Sequence, residues 1–351
     1  MHARDHRGIG GFRPEGGPSR PAIDLGSNEN ALGPSPAAAS AVREAADSIN
    51  LYPRDPHAAL DRALAGHWEV DPAQIWLGPG GVGVIDYLSR AFLEPGDGVL
   101  EPDPGFFVIG RSARAHHGEA ARYPLDRDAG FAFDAEAVLE RYDGHRLVYV
   151  ISPHNPTGGV TPLETIETIA EATDEATMVV VDEAYGAFTD TPSAVELVRR
   201  RPDVAVIRTF SKAYGLAGLR LGYAVVPTAV ADAYAAFQTP YAASRLACLG
   251  GLAALEDGDF LERSVALARR GRRYLAEAIE AETYPSEANF VLVEAGDGEA
   301  VADALLERGI RVRNCHGYGL SSFVRVTVGT AEQNRLVARA LNEVIPTCAS
   351  P

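Results

Sequence analysis

Short apolar runs recur along the first two thirds of the chain, and each is followed by a polar or glycine-rich stretch. The runs at 75–77, 147–151, 178–181 and 204–207 consist of valine, isoleucine, leucine and aromatic residues, apart from Met178 and Ala205. Continuous apolar runs of this length are typical of strands buried on both faces of a parallel sheet. Helical segments at 36–49, 57–67 and 84–92 precede or follow them, and Ser35 is placed to cap the first. The pattern predicts an α/β fold with a mostly parallel sheet.

The last third of the chain is organised differently. Helices are predicted at 246–255 and 259–281, and strands at 289–294, 309–313 and 323–328 then alternate with helices at 298–308 and 331–344. This pattern is typical of a smaller α+β module. We therefore expect a flexible, Gly-rich and Arg-rich N-terminal arm over 1–22, a large domain over 23–245 and a small C-terminal domain over 246–351.

Composition narrows the classes of function. The formal net charge of −16 argues against a nucleic-acid surface, which requires a basic stripe. No apolar run has membrane-spanning length, so no membrane partner is expected. Cys248, Cys315 and Cys348 lack the spacing of a metal site or a disulfide framework. These features predict an enzyme or binding protein without a metal, in a reducing, cytoplasmic setting.

Polar side chains follow three of the predicted strands. Asn155 follows the strand at 147–151, Asp182 and Tyr185 follow the strand at 178–181, and Ser211 and Lys212 follow the strand at 204–207. Ligands of open α/β sheets bind beyond the carboxyl ends of the strands, so we expect a shared site there. Lys212 is the only lysine of the chain. A primary amine, unlike a guanidinium, can lose its proton and condense with an aldehyde.

A glycine-rich stretch, GPGGVG at 78–83, lies between a strand and a helix. Its backbone N–H groups and the helix dipole suit a phosphate. Gly78, Gly80 and Gly83 also match the G-x-G-x-x-G pattern, and Glu101 is placed as a ribose-binding acid would be. A nicotinamide- or flavin-dependent Rossmann oxidoreductase is therefore an alternative at this stage.

Four segments, SPHNPTGG, VVVDEAY, TFSKAYGLAGLRLGY and FVRVTVGT, resemble the motifs of fold type I pyridoxal-phosphate enzymes of the class I/II aminotransferase group. Within that group, SNENALGPSP and LYPRDP most resemble histidinol-phosphate aminotransferases. The resemblance extends from about residue 23 to about residue 345. It implies a large domain with a seven-stranded, mostly parallel sheet, a smaller C-terminal domain, and a homodimer. It also implies pyridoxal 5′-phosphate as the cofactor.

The resemblance assigns roles to the residues at the strand ends. Lys212 is expected to form a Schiff base with the cofactor aldehyde and to carry the transferred proton. Asp182 is expected to pair with the pyridine nitrogen, while Asn155 and Tyr185 bind the 3-oxygen. The bond between Asn155 and Pro156 is expected to be cis. The cofactor phosphate is expected to contact Ser211, Arg220, the backbone of Gly80, Gly81 and Val82, and, from the neighbouring subunit, Tyr52.

The resemblance also assigns residues to substrate binding, but here the sequence departs from the family pattern at several positions. Arg325 resembles the arginine that binds the substrate anion with a bidentate fork, and Arg313 is expected to provide a second anion contact. Three departures from the family pattern bear on substrate choice. Gly80-Gly81-Val82 replaces the usual Gly-Ser-Asp. Pro104 lies where an aromatic residue usually stacks on the cofactor, and Phe106 is nearby. Asn30 and Leu32 lie in the substrate-facing loop, where the family often has an aromatic residue.

The leading hypothesis is an aminotransferase of amino-acid biosynthesis. It would transfer an amino group between a small anionic amine or amino acid and 2-oxoglutarate, and histidinol phosphate is the best candidate for the amine. A phospho-amino-acid decarboxylase, an oxidase and an amino-acid aminotransferase are alternatives on the same scaffold, and a cofactor-free binding protein is a further one. A solvated or capping role is expected for His154 rather than catalysis. His316 is a candidate for the substrate side.

Overall fold

The computed structural model describes residues 22–348, so the arm predicted for 1–22 lies outside the described residues except for its last residue. The strands, in chain order, are β1 (Ile23–Asp24), β2 (Ile75–Gly78), β3 (Gly98–Asp103), β4 (Glu119–Pro124), β5 (Leu147–Ile151), β6 (Met178–Asp182), β7 (Val204–Thr209), β8 (Gly222–Val225), β9 (Phe290–Glu294), β10 (Ile310–Arg311), β11 (Arg313–Asn314) and β12 (Phe323–Thr327). The four apolar runs that predicted strands of the large sheet all form strands.

The helices carry the chain from one strand to the next. They are α1 (Pro36–Ala45), α2 (Arg54–Trp68), α3 (Gly80–Phe92), α4 (Val108–Ala115), α5 (Ala135–Leu139), α6 (Leu163–Ala172), α7 (Val195–Val198), α8 (Tyr234–Phe237), α9 (Arg245–Glu256), α10 (Gly258–Ala278), α11 (Gly298–Glu307) and α12 (Ala331–Cys348). Ser35 caps α1, because its side chain accepts a hydrogen bond from the Ala38 N–H. None of these helices within 22–348 is long and apolar enough to cross a bilayer.

A seven-stranded sheet forms the centre of the molecule, in the order β2-β8-β7-β6-β5-β3-β4. Only β8 runs against its neighbours, β2 and β7, and the other pairs are parallel. Every residue of β5 and β6 is buried, as expected for strands covered by helices on both faces. The predicted α/β fold with a mostly parallel sheet is confirmed. No strand was predicted for the other three, β3, β4 and β8; β8 has four residues, and β4 is an edge strand with polar side chains.

The C-terminal part has its own sheet, β11-β12-β9, and its own apolar core. The single strand predicted at 309–313 is wrong, because the chain divides at Val312 into β10 and β11. β10 pairs with β1 near the N-terminus, whereas β11 pairs with β12. Leu25, next to β1, belongs to this C-terminal core. β1 therefore belongs to the C-terminal part, and the chain enters the large sheet only at β2, after α1 and α2.

The predicted helix starting at Val84 begins instead at Gly80, so the glycines form its first turn. The helix predicted over 36–49 is α-helical only to Ala45 and continues as a 3-10 turn to Ser48. The helix predicted over 259–281 ends at Ala278, because Ile279 adopts an extended conformation. These boundary differences leave the order of elements unchanged, and the shift at Gly80 moves a helix N-terminus to the edge of the sheet.

Candidate active site

Three neighbouring strands, β5, β6 and β7, end at the same edge of the large sheet. Asp182 closes β6 and lies level with Ile151 of β5 and Ile207 of β7. Asn155 follows β5 after a few residues, and Lys212 follows β7 in the same way. The parallel direction of the strands therefore brings Asn155, Asp182 and Lys212 to one place, as the sequence predicted.

Lys212 has the properties of a nucleophilic amine. Its Nζ donates a hydrogen bond to the carbonyl oxygen of Ser27 at 3.1 Å and lies 5.6 Å from the centre of the Tyr185 ring. Burial, followed by the positive charge of Arg325, lowers the pKa of Lys212 from 10.5 to about 7. A substantial fraction of the amine is therefore unprotonated at neutral pH, which an exposed lysine would not allow.

Asp182 is a buried carboxyl group with no cation paired to it among residues 22–348. Its Oδ1 accepts a hydrogen bond from the Ala184 N–H at 2.9 Å, and the residue is 5% exposed. Burial raises the pKa of Asp182 from 3.8 to about 6, and the charge of Glu183 adds to that rise. A carboxylate in such surroundings is stabilised by any cationic N–H group placed against it. The site therefore offers an ion-pairing position for a protonated ring nitrogen.

The direction of one hydrogen bond fixes the orientation of Asn155. Arg325 Nη1, which can only donate, lies 2.5 Å from Asn155 Oδ1. The amide NH₂ of Asn155 is consequently left as a donor. The peptide bond from Asn155 to Pro156 is cis, as the resemblance predicted. Tyr185 is a second donor nearby: its oxygen accepts a hydrogen bond from Asn28 Nδ2 at 2.8 Å, and burial raises the pKa of its hydroxyl to about 12.

A helix N-terminus and an arginine form an anion pocket beside these groups. No side chain within residues 22–348 caps the start of α3. Gly80 has a φ of 78°, and a Cβ added there would lie 2.6 Å from Nη2 of Arg220, so only glycine allows the guanidinium this close. The hydroxyl oxygens of Ser211 and Thr209 are hydrogen-bonded to each other at 3.0 Å, so Ser211 provides a hydroxyl at the end of β7. Free N–H groups, a guanidinium and a hydroxyl suit a phosphate.

Two arginines form a second cationic region. Arg313 of β11 is paired in register with Arg325 of β12. Arg313 Nε and Arg325 Nη2 donate to the same oxygen, the carbonyl of Gly26, at 3.2 and 3.0 Å. Arg325 is 3% exposed, and its Nε is buried without a hydrogen-bond partner in the described part of the chain. Neither guanidinium forms an ion pair with an acidic side chain of the described residues, so this region is complementary to an anion.

Several residues predicted for the site contact groups other than the side chains of Lys212, Asp182 and Arg325. Tyr52 is 70% exposed and stacks on Tyr241, with 4.9 Å between ring centres. Phe106 packs edge-on against Phe107, at 5.6 Å between ring centres. The amide of Asn30 donates to the Ala213 carbonyl oxygen at 2.9 Å and to Ser264 Oγ at 2.7 Å, and so supports the turn that carries Lys212. Gly81 and Val82 lie in the first turn of α3.

The three remaining candidate residues are His154, Glu101 and His316. His154 is fully buried rather than solvated; its Nδ1 lies 2.8 Å from Thr157 Oγ1, and burial lowers its pKa to about 3. Glu101, the candidate ribose-binding acid, accepts a hydrogen bond from the Gly110 N–H at 2.8 Å. Its burial explains why its pKa is raised. His316 is exposed, in the turn between β11 and β12.

The sequence pattern did not indicate four residues that contact the site. Ser27 accepts the hydrogen bond of Lys212, Tyr318 accepts one from Arg325 at 3.2 Å, and Asn28 and Thr327 are hydrogen-bonded to each other behind Tyr185. Thr327 lies two residues after Arg325 on β12 and therefore faces the same side of the strand. That two-residue spacing from Arg325 is the one feature of the sequence that could have indicated Thr327 as a site residue.

Comparison with known proteins identifies the class. A profile of the family described as aminotransferase class I and II matches residues 20–341, and the chain belongs to that family. It is 53% identical over 323 residues to the histidinol-phosphate aminotransferase of Natronomonas pharaonis, covering 92% of this chain and 91% of the relative. It is 54% identical over 323 residues to that of Halorubrum lacusprofundi, covering 92% and 89%.

Solved structures agree with this assignment. Histidinol-phosphate aminotransferase from Sinorhizobium meliloti, in complex with pyridoxal 5′-phosphate, superposes with a TM-score of 0.87 at 31% identity, covering 93% of this chain and 92% of that one. Aspartate aminotransferase from Thermus thermophilus, with maleate, gives a TM-score of 0.83 at 25% identity, covering 92% of each chain. The predicted fold type I, pyridoxal-phosphate-dependent aminotransferase is confirmed.

The residues present fit pyridoxal phosphate. The unpaired carboxyl of Asp182 suits the ring nitrogen, the pocket at Gly80 and Arg220 suits the phosphate, and the amine of Lys212 suits the aldehyde. The Rossmann oxidoreductase is not favoured, since Glu101 is engaged with Gly110 and the family is that of aminotransferases. The decarboxylase, oxidase and binding-protein alternatives are not favoured either.

Proposed function

We propose that this protein transfers the amino group of histidinol phosphate to 2-oxoglutarate, with pyridoxal 5′-phosphate as cofactor, as a step of amino-acid biosynthesis. The observation that carries the choice of an anionic substrate is the pair Arg313 and Arg325, two guanidinium groups side by side without an acidic partner among residues 22–348. The relatives of 53% and 54% identity are histidinol-phosphate aminotransferases, which supports the same substrate.

When bound, pyridoxal phosphate supplies an aldehyde that condenses with primary amines and a ring that accepts the electron pair from Cα. Asp182 would hold the proton on the ring nitrogen. Asn155 and Tyr185 would donate hydrogen bonds to the 3-oxygen. The phosphate would be bound by the hydroxyl of Ser211, the guanidinium of Arg220 and the backbone of Gly80, Gly81 and Val82.

Lys212 acts as the general base and acid of the reaction. Its pKa of about 7 without cofactor lets the amine accept and release a proton near neutral pH, as proton transfer at the substrate Cα would require. Arg325 binds the substrate phosphate with help from Arg313 and, in the second half-reaction, a carboxylate of the 2-oxo acid. Asn30 lies on the substrate side and Phe106 on the ring side of this arrangement, as the resemblance implies.

We further propose a homodimer in which Tyr52 contacts the cofactor phosphate of the partner subunit. The support is that Tyr52 is 70% exposed, with Ile49 (68%) and Leu51 (53%) exposed beside it. Exposed apolar side chains in a group favour an interface. A large domain over 23–245 and a small one over 246–351 remain the proposed division, supported by an apolar core built almost entirely from C-terminal residues. Ala247, Cys248 and Ala254 of α9 belong instead to the core around the large sheet. The three free cysteines support a reducing, cytoplasmic setting.

Single-turnover spectroscopy tests the proposal. The purified protein with pyridoxal phosphate bound is mixed with histidinol phosphate, histidinol or glutamate, and the visible absorption of the cofactor is followed. Conversion by histidinol phosphate at low concentration, with much weaker conversion by histidinol, is the expected result, because only the former has the anion that the two arginines bind. Equal rates with histidinol and histidinol phosphate would contradict the assignment of the phosphorylated substrate.

A further inference from the structure

Tyr185, which faces Lys212, is held by a series of buried hydrogen bonds that begins on β12. The backbone N–H of Asn28 donates to Thr327 Oγ1 at 3.0 Å. The Thr327 hydroxyl donates to Asn28 Oδ1 at 3.0 Å, and Asn28 Nδ2 donates to Tyr185 Oη at 2.8 Å. Asn28 and Thr327 are 299 residues apart in the chain and are 1% and 2% exposed. These hydrogen bonds thus connect β12 of the C-terminal sheet to the segment that follows β6 of the large sheet.

The direction of these hydrogen bonds follows from which atoms can only donate. A backbone N–H has no lone pair, so the oxygen of Thr327 must accept from Asn28. The hydroxyl hydrogen of Thr327 is then free for Asn28 Oδ1. If the Asn28 amide were rotated by half a turn, that buried hydrogen would have no acceptor among residues 22–348, which is costly. Asn28 therefore presents its NH₂ group to Tyr185, and the tyrosine oxygen accepts.

The backbone of Asn28 is fixed independently of its side chain. Its φ is 54°, in the left-handed region that asparagine tolerates better than most residues. Its carbonyl oxygen accepts a hydrogen bond from Asn289 Nδ2 at 3.1 Å. Contacts from Thr327, Asn289 and Tyr185 thus hold this one residue, and its side-chain amide cannot turn without breaking those to Thr327 and Tyr185.

We propose that Thr327 and Asn28 are positioning residues that act through Tyr185. They make its phenolic oxygen an acceptor on the protein side, so that its hydroxyl hydrogen is donated to the 3-oxygen of the bound cofactor. This inference rests on the proposed function. Because a donor to that oxygen favours its ionised form, the pair also lowers the pH at which the bound cofactor changes its visible absorption.

The test is a spectroscopic pH titration of the protein with cofactor bound and without substrate. Thr327→Val keeps the shape of the side chain and removes the hydroxyl, whereas the matched control Thr327→Ser retains it. We expect the absorption midpoint to rise by about one pH unit in Thr327→Val and to stay at the wild-type value in Thr327→Ser. In a Tyr185→Phe background, Thr327→Val should cause no further rise, since its effect passes through the tyrosine.

A wild-type midpoint in a folded Thr327→Val protein with bound cofactor would overturn the inference, and so would a rise that persists without the Tyr185 hydroxyl. If Thr327→Val does not fold, Asn28→Gly is the test, because glycine accepts the left-handed φ and removes the side-chain amide. Asn28→Gly should show the same rise in the absorption midpoint. An unchanged midpoint would overturn the inference. A wild-type protein that binds no pyridoxal phosphate would refute the proposed function and this inference together, whereas unchanged variant midpoints would refute this inference alone.

Discussion

Arg313 and Arg325 lie directly opposite each other on antiparallel strands, and both donate a hydrogen bond to the carbonyl oxygen of Gly26. Like charges placed opposite each other on two strands destabilise the pair. The backbone carbonyl compensates only partly, because it carries no full negative charge. The two guanidinium groups are thus prepared for an anion before any ligand binds.

Arg325→Lys should slow both half-reactions. The ammonium group keeps the charge, but it loses the fork that contacts Asn155 and Gly26 and binds an anion with two parallel hydrogen bonds. We expect a loss of about 2–4 kcal/mol in kcat/KM with either substrate, measured by single-turnover kinetics. Arg339→Lys, at an arginine whose side chain is 82% exposed, is the control and should be neutral. Unchanged rates in both half-reactions would remove the anion pocket from the account.

Arg313→Ala should discriminate between substrates. If Arg313 assists in binding a phosphate, the loss of about 2–4 kcal/mol in kcat/KM should be confined to the phosphorylated amine. The measurement compares the rate with histidinol phosphate against the rates with ordinary amino acids, for the wild type and the variant. An equal loss with amino acids that lack a phosphate would instead indicate that Arg313 serves a side-chain carboxylate.

Asp182→Asn should stabilise the cofactor-free protein at neutral pH. The folded-state pKa of Asp182, about 6, lies above its unfolded value of 3.8, so the folded protein binds more protons in that window and stability falls as pH rises through it. The neutral amide escapes this cost, which amounts to about 3 kcal/mol above pH 6. Denaturant unfolding at pH 4 and pH 7 measures the difference. Equal gains at both values would show that ionisation is not the cause.

The same substitution should have the opposite effect once cofactor is bound. Asparagine cannot balance the charge of a protonated ring nitrogen, so Asp182→Asn should bind pyridoxal phosphate more weakly while being the more stable protein without it. Thermal unfolding with and without cofactor, on the same preparation, records both effects. A variant that is stabilised by cofactor as much as the wild type would contradict the assigned pairing.

Borohydride reduction should attach the cofactor to Lys212 and to no other residue. Lys212 is the only lysine, and its lowered pKa provides free amine at neutral pH. Peptide mapping by mass spectrometry locates the added mass. Lys212→Arg should carry none and should have no measurable turnover, since a guanidinium does not condense with the aldehyde. Labelling of a different peptide in the wild type would refute the role of Lys212.

Mixed dimers test the proposed contact of Tyr52 with the partner subunit. Tyr52→Phe should weaken cofactor binding by roughly 1–2 kcal/mol, the worth of one charge-assisted hydrogen bond. Subunit exchange with Lys212→Ala should restore part of the activity, because one site of the mixed dimer contains both intact residues. Tyr274→Phe, at an exposed tyrosine of α10, is the matched control and should bind cofactor normally. Demonstrated exchange without recovery would contradict the shared site.

The fold and the residues at the strand ends were predictable because the information is local. Buried strands are recognisable as apolar runs, and parallel strands bring their carboxyl ends together, so Asn155, Asp182 and Lys212 could be placed from sequence alone. Asn28 and Thr327 could not, since their contact spans 299 residues and depends on how β1 and β12 meet. The start of α3 at Gly80 was missed because glycine is usually read as a helix breaker.

Because Lys212 is the only lysine and is partly buried, cleavage after lysine can detect opening of the turn that carries it. A protease that cuts only after lysine can cleave the chain at one peptide bond, between Lys212 and Ala213, giving fragments of 212 and 139 residues. That bond lies in a turn tied to Asn30 and beneath the site. Intact chain on a gel therefore indicates a folded turn, and the appearance of the two fragments measures how often this one region opens.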